Sequence, residues 1–284
     1  MAAKMPVKYS VVDAFTDLPL KGNPAAVCLL EEEKDDEWLQ AVAREFNISE
    51  TCYLTRIIDP EPHSSKFRLR WFTPVAEIDL CGHATLAAAY FLFVNGFVNT
   101  DVIEFCTLSG ILTAKRVPEK DGGFFVELNF PIIHVLETNL SEIPTIAKNF
   151  DKACVVEIKK TDRDDLIVVL QSGDAVAGLQ PQIDEIQKCT GRGVIVTGPG
   201  PPGSGFDFYC RFFCPKLGIP EDPVCGIAHC ALASYWHKLL KKNNLNSYAA
   251  SPRSGVMNVR IDEEENRVFL QGKAVVVMEG SLLA

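Results

Sequence analysis

The sequence predicts an α+β protein of two similar lobes, each a curled, mostly antiparallel sheet around a central helix. Short β-rich runs outnumber helical patterns, and one structural unit is used twice. "RLRWFTPVAEIDLCGHATLAAAYFL" from Arg68 lines up with "YCRFFCPKLGIPEDPVCGIAHCALASYW" from Tyr209. In each, an aromatic strand ends at a proline, a short acidic loop follows, and Cys-Gly opens a helix. Downstream, "TLSGILTAKR" and "PRSGVMNVRI" both read as a Ser-Gly turn entering an alternating strand. Cys81 and Gly110 are 29 residues apart, Cys225 and Gly255 are 30 apart, and this shared register indicates a tandem duplication.

In chain order, "YSVVDAF", "AAVCLL", "CYLTRI" and "FRLRWF" are the strands expected of the first half. "GFFVELNF", "DLIVVL", "GVIVTG" and "RVFLQGKAVVVM" follow, all bounded by Gly, Pro and Asp turns. "DDEWLQAVAREFN" carries Trp38, Leu39, Val42 and Phe46 at helical spacing, the stripe of a surface helix. The two Cys-Gly helices are apolar nearly all round, which predicts central burial. The expected lobes are 1–130 together with the C-terminal strand 273–284, and 131–272, with a seam in "NFPIIHVLETNLSEIP". That seam has no Gly/Ser linker, so the lobes should be joined by continuous strand.

The length of 284 residues suits two cores, since one core stops growing at roughly 250–300 residues. A net charge of −9 argues against a nucleic-acid partner, whose affinity comes from clustered Lys and Arg. The basic run "HKLLKK", with Lys238, Lys241 and Lys242, reads as a solvated helix end favoured by the helix dipole. The start has no apolar signal-peptide segment, and no apolar run is long enough to span a membrane. A cytoplasmic protein with no membrane partner is expected. Its ten cysteines then read as reduced thiols, with Cys28, Cys106, Cys154 and Cys189 as small core residues. Cys210, Cys214, Cys225 and His229 or Cys230 lie close in sequence, but their spacing does not fit a zinc knuckle. No metal is expected there.

The Cys-Gly helix starts carry the chemistry. A helix N-terminus presents unpaired N–H groups and a positive dipole end, so two such ends facing one another would grip a carboxylate. Gly82 and Gly226 would let a ligand approach the backbone. The same field lowers a cysteine's pKa, making Cys81 and Cys225 plausible thiolates. Glu50, between a helix end and a strand, is expected in a loop, as a proton carrier raised in pKa by an apolar cleft or as a surface carboxylate. His83 reads either as a site residue or as a core histidine satisfied by a carbonyl. Asp222 would cap the second Cys-Gly helix.

"VVDAFTDLPLKGNPAAV", "AREFNISET", "RWFTPVAEIDLCGHATLAAA", "DPVCGIAHCALASYW" and "GKAVVVMEGSL" together resemble the PhzF-like isomerases, within the diaminopimelate epimerase-like fold that includes proline racemase. The chain also looks similar to the phenazine biosynthesis-like domain-containing proteins of animals. The resemblance implies a cofactor-independent, homodimeric isomerase acting on a small carboxylate-bearing metabolite in the cleft between the lobes. It assigns proton transfer to Glu50, aided by His83 and Asp222, with Asn23, Ser49, Gly82 and Gly226 binding substrate. Ile227 stands where the family commonly has a small or hydroxyl residue, which points to a different substrate. Two readings compete. One is a racemase in which Cys81 and Cys225 act as opposed bases; the other is a non-catalytic binding protein that retains the fold.

Overall fold

The computed structural model describes residues 6–58, 65–120, 122–138 and 155–283. The chain divides into two compact units, Met1–Asn129 with Gln271–Ala284, and Phe130–Leu270. In chain order the first stretch holds β1 (Val7–Ala14), β2 (Asn23–Leu30), α1 (Asp36–Phe46), β3 (Glu50–Arg56), β4 (Lys66–Phe72), β5 (Glu77–Ile78), α2 (Gly82–Val94), β6 (Val102–Thr107), β7 (Gly110–Pro118) and β8 (Phe124–Pro131). Then come β9 (Val135–Leu136), β10 (Val155–Thr161), β11 (Leu166–Leu170), α3 (Gly173–Ala177), α4 (Ile183–Ile186), β12 (Val194–Pro199) and β13 (Phe208–Cys214). The chain closes with β14 (Ile219–Asp222), α5 (Gly226–Leu240), β15 (Asn244–Ala249), β16 (Gly255–Asp262), β17 (Arg267–Gly272) and β18 (Ala274–Leu282). Much of the expected seam, and Cys154, lie outside the described residues.

The duplication is visible in strand pairing. In the first unit β1 pairs antiparallel with β18 and β2, β2 parallel with β3, β3 antiparallel with β4, β4 antiparallel with β5 and parallel with β6. The second unit repeats this: β10 with β9 and β11, β11 parallel with β12, β12 with β13, β13 with β14 and parallel with β15. Within each unit the pairing is therefore mostly antiparallel, with two parallel pairings. These follow helix-containing connections, because a parallel partner cannot be reached by a tight turn.

The helices form for different reasons. α1 is amphipathic: Leu39, Val42 and Ala43 are buried and pack with Cys28, Leu30, Tyr53 and Phe72 on one face of the sheet. Its N-terminus is capped by Asp35, whose Oδ1 accepts from Trp38 N at 2.8 Å. Asn47 ends the helix in the left-handed conformation. α2 is apolar all round and buried along nearly its whole length, packing on β1, β2, β3, β7 and β18. Its approach is close enough that a Cβ on Gly272 would lie 2.3 Å from the Phe15 ring and 3.1 Å from Leu86 Cδ1. α5 is the second unit's equivalent. α3 and α4 cover the other face of its sheet, burying Val176 and Ile186 against Val168, Val196 and Phe213.

Two expectations change at this level. The acidic segments before the helices are short strands, β5 and β14, rather than loops. Cys106 is half-buried and is not a core residue, whereas Cys28 and Cys189 are buried.

Candidate active site

A repeated clasp sets each helix start. In the first unit the Arg70 fork donates to Glu77, Nε to Oε1 at 2.7 Å and Nη2 to Oε2 at 2.7 Å. In the second, Arg211 does the same to Glu221 at 2.7 and 2.9 Å. Both guanidinium groups also lie over a phenylalanine two residues on, Phe72 and Phe213, each at 5.1 Å. A bidentate Arg–carboxylate pair fixes direction as well as distance. Each pins the short strand whose glutamate lies four residues before the helix-opening cysteine.

In the first unit the chain then delivers five of the expected residues to one place. Glu50 is the first residue of β3, held by parallel pairing with Ala25, and not in a loop. The adjacent helix end is turned by Asn47, leaving Ser49 and Glu50 to enter the sheet beside Asn23 of β2. Ser49 Oγ donates to Pro24 O at 2.8 Å and lies 3.4 Å from Asn23 Oδ1 and 3.3 Å from His83 Nε2. His83, in the first turn of α2, places Nε2 3.0 Å from Glu50 Oε2, and Nδ1 3.4 Å from Cys81 Sγ. Glu50, Cys81, His83 and Asn23 are all buried. Both ring nitrogens of His83 thus face side chains of this cluster.

The electrostatics reverse the expected direction for Glu50. Burial pushes its pKa up, but the charge and hydrogen bond of His83, with help from Ser49 and Cys81, outweigh this and leave it below the ordinary carboxylate value. Oε2 receives no well-aligned hydrogen bond despite its 3.0 Å contact with Nε2, so attraction of charge is the main link. Glu50 rests as a carboxylate, ready to accept a proton.

The second unit's helix start differs. Gly226 opens α5 as Gly82 opens α2, and the preceding Cys225 is the N-cap, its Sγ accepting from Ala228 N at 3.5 Å. Asp222 does not cap the helix; its Oδ1 accepts from Val224 N at 3.2 Å, in the turn before it. The Cys225 thiol is pushed well above its ordinary value, first by burial and then by the Asp222 charge, against a lesser opposing contribution from the Ala228 N–H. The residue's overall exposure is intermediate, but its sulfur is enclosed. Cys225 is therefore a thiol, not the expected thiolate. The helix-end field is real but too small to offset desolvation and a nearby carboxylate.

His229, one turn into α5, donates from Nδ1 to Cys225 O at 2.7 Å and has Nε2 3.4 Å from Cys210 Sγ. Arg192 was not anticipated. It grips buried Asp165, Nε to Oδ1 at 3.0 Å and Nη2 to Oδ2 at 2.5 Å. A sequence signal existed in "GRG": a Cβ at Gly191 would meet Asp164 O at 2.4 Å, and one at Gly193 the Phe212 ring at 2.7 Å. Both glycines are required by the close packing that seats Arg192.

Residues 12–280 match the family described as phenazine biosynthesis-like protein. The chain belongs to that family. It is 39% identical to an uncharacterized isomerase of Halalkalibacterium halodurans, covering 96% of this chain and 97% of the relative. It is 38% identical to phenazine biosynthesis-like domain-containing protein 1 of Mus musculus, covering 99% and 100%. The crystal structure of a PhzF family protein of Enterococcus faecalis superposes with a TM-score of 0.84 at 37% identity, covering 98% of this chain and 99% of that one. A hydroxyproline epimerase from Agrobacterium vitis, at 12% identity and a TM-score of 0.64 over 99% and 94%, shares the fold. The α+β architecture is thus that of the PhzF family and the related epimerases. Among the described residues, no helix is long and apolar enough to cross a membrane.

Proposed function

We propose that the protein is a cofactor-independent isomerase of a small carboxylate-bearing metabolite, with Glu50 as the proton carrier. The observation that carries this reading is the buried Glu50 carboxylate held ionised 3.0 Å from His83. Glu50 removes a proton from a carbon of an unsaturated substrate, the C–H electron pair delocalises toward the substrate carboxylate, and Glu50, its proton exchanged with solvent, protonates another carbon. The product is a shifted double bond. His83 offsets the charge change on Glu50. The Cys81 side chain does not cap the first-turn N–H groups of α2, and these stabilise the negative charge that develops on the substrate. Asp222 keeps the supporting role in proton transfer that the family resemblance implies. The isomerase name of the 39% identical relative supports the reaction class. The same proposal takes the protein to be cytoplasmic and homodimeric.

The two-cysteine racemase is the second reading, favoured by the contact of Cys81 with His83 but opposed by the raised pKa of Cys225, which would have to serve as the thiolate base in one of the two directions. The test is proton NMR of a panel of small carboxylic acids with acidic C–H groups, incubated with the protein in D2O. Wild type should introduce deuterium into at least one. Glu50→Gln should slow this by about 10²–10⁴-fold, the usual contribution of a positioned acid–base group. Glu50→Gln at wild-type rate, with Cys81→Ser and Cys225→Ser both inactive, would establish the racemase instead. If no compound in the panel exchanges, the binding-protein reading takes precedence.

A further inference from the structure

Glu50, Cys81 and His83 each offer a ligand atom, and the three atoms lie within 4.8 Å of one another. Among the described residues this is the one such group of three. The geometry points to a binding site for a thiophilic divalent cation, with Zn²⁺ as its best occupant. The donors are a thiolate sulfur, an imidazole nitrogen and a carboxylate oxygen, each a type zinc binds, and three protein ligands leave a fourth position open. Zinc bond lengths of roughly 2.0–2.3 Å put tetrahedral ligands about 3.3–3.8 Å apart. His83 Nε2 faces Glu50 Oε2 at 3.0 Å and its Nδ1 faces Cys81 Sγ at 3.4 Å; a metal takes only one ring nitrogen, so a side-chain rotation must bring the three donors, now within 4.8 Å of one another, to that spacing around it.

Charge favours the same occupant. A buried thiolate and carboxylate carry two negative charges, which a divalent cation neutralises, so the filled site places no net charge in the interior. The Cys81 proton leaves to water when the metal binds. Hard cations such as Mg²⁺ discriminate against sulfur and nitrogen donors and would not compete. The clasp of Arg70 on Glu77 braces the strand leading to Cys81, and pairing with Ala25 braces Glu50, so the ligands stand on rigid elements. With the metal bound, the Glu50 lone pairs are occupied and the proton carrier is silenced. Only this inhibitory consequence rests on the proposed isomerase reading; the binding does not.

The experiment titrates the metal-stripped full chain with Zn²⁺ against a chromophoric chelator, and separately with Co²⁺ while following the absorption spectrum. One high-affinity equivalent is expected, with a sulfur-to-cobalt charge-transfer band. Cys81→Ser should abolish the band, and Cys81→Ser, His83→Asn and Glu50→Gln should each weaken Zn²⁺ binding more than about 100-fold, beyond the 10–100-fold typical of outer-shell changes. Cys106→Ser, at the half-buried thiol outside this cluster, should bind as wild type does. Thermal unfolding of each metal-free variant shows whether it is folded, and a Zn²⁺-induced rise in midpoint should appear for wild type and Cys106→Ser only. Binding undiminished in Cys81→Ser and His83→Asn, or no high-affinity binding by wild type, overturns the proposal. Tight Zn²⁺ binding without inhibition of deuterium exchange would sustain the site and remove its link to Glu50.

Discussion

His229 should make the protein lose stability on acidification, by an amount the structure sets. The ring is fully buried, gives its Nδ1 proton to Cys225 O at 2.7 Å, faces Cys210 Sγ at 3.4 Å through Nε2, and has the Phe208 ring 6.0 Å away. Burial lowers its pKa from 6.5 to about 4, against a smaller raising contribution from the Cys225 carbonyl. Between those values the unfolded chain binds a proton that the folded chain refuses. Stability is therefore full above about pH 6.5 and falls as pH drops, reaching its full loss below about pH 4. A difference of about 2.5 units at 1.36 kcal/mol each gives a loss of about 3 kcal/mol. Urea unfolding at a series of pH values from 7.5 to 4, on wild type and His229→Asn, isolates this share. Asn keeps a donor near the Nδ1 position and cannot titrate, so its lower starting stability should decline less steeply by about 3 kcal/mol over the range. Parallel curves for the two proteins would show that His229 is not held neutral by its surroundings.

Three further outcomes follow from the same structure. Because the Glu50 pKa is lowered, substrate turnover should persist below pH 5, and its acid limb should fall below the ordinary glutamate value of 4.5; a limb centred above 4.5 would contradict the His83 pairing. Cys225 should react with iodoacetamide at neutral pH far more slowly than a free thiol, as peptide mapping can follow, and rapid labelling would show that it is a thiolate. Gly22 has φ +64°, and a Cβ there would lie 2.1 Å from Ala14 O, so Gly22→Ala should cost about 2 kcal/mol or more by urea unfolding and disturb the turn that leads to Asn23.

The strands and the two buried helices were legible because their patterns are local. Alternation marks "FRLRWF" and "YCRFFC" as strands wherever they sit, and a run such as "ATLAAAYFL" has no polar face to give to water. Repetition made the duplication legible, since Cys-Gly recurs in the same register against Ser-Gly turns. β5 and β14 escaped this reading. Their two to four residues carry no period, and the Arg70 and Arg211 side chains that grip Glu77 and Glu221 come from the strands they pair with, not from the segments themselves.

By itself the sequence determined the α+β class, the family, and which residue types stand at the helix mouths, because all three are properties of order along the chain. Only tertiary structure decided their chemical states. Glu50 looked like loop in a polar "NISET" context; parallel pairing with Ala25 makes it strand, and His83, 33 positions later, turns the effect of burial into a lowered pKa. Cys225 stands at a helix mouth that alone would favour a thiolate, yet desolvation and Asp222 keep its proton on. Protonation is set by the sum of desolvation and nearby charge, and both depend on the atoms folding brings within a few ångströms rather than on those adjacent in sequence.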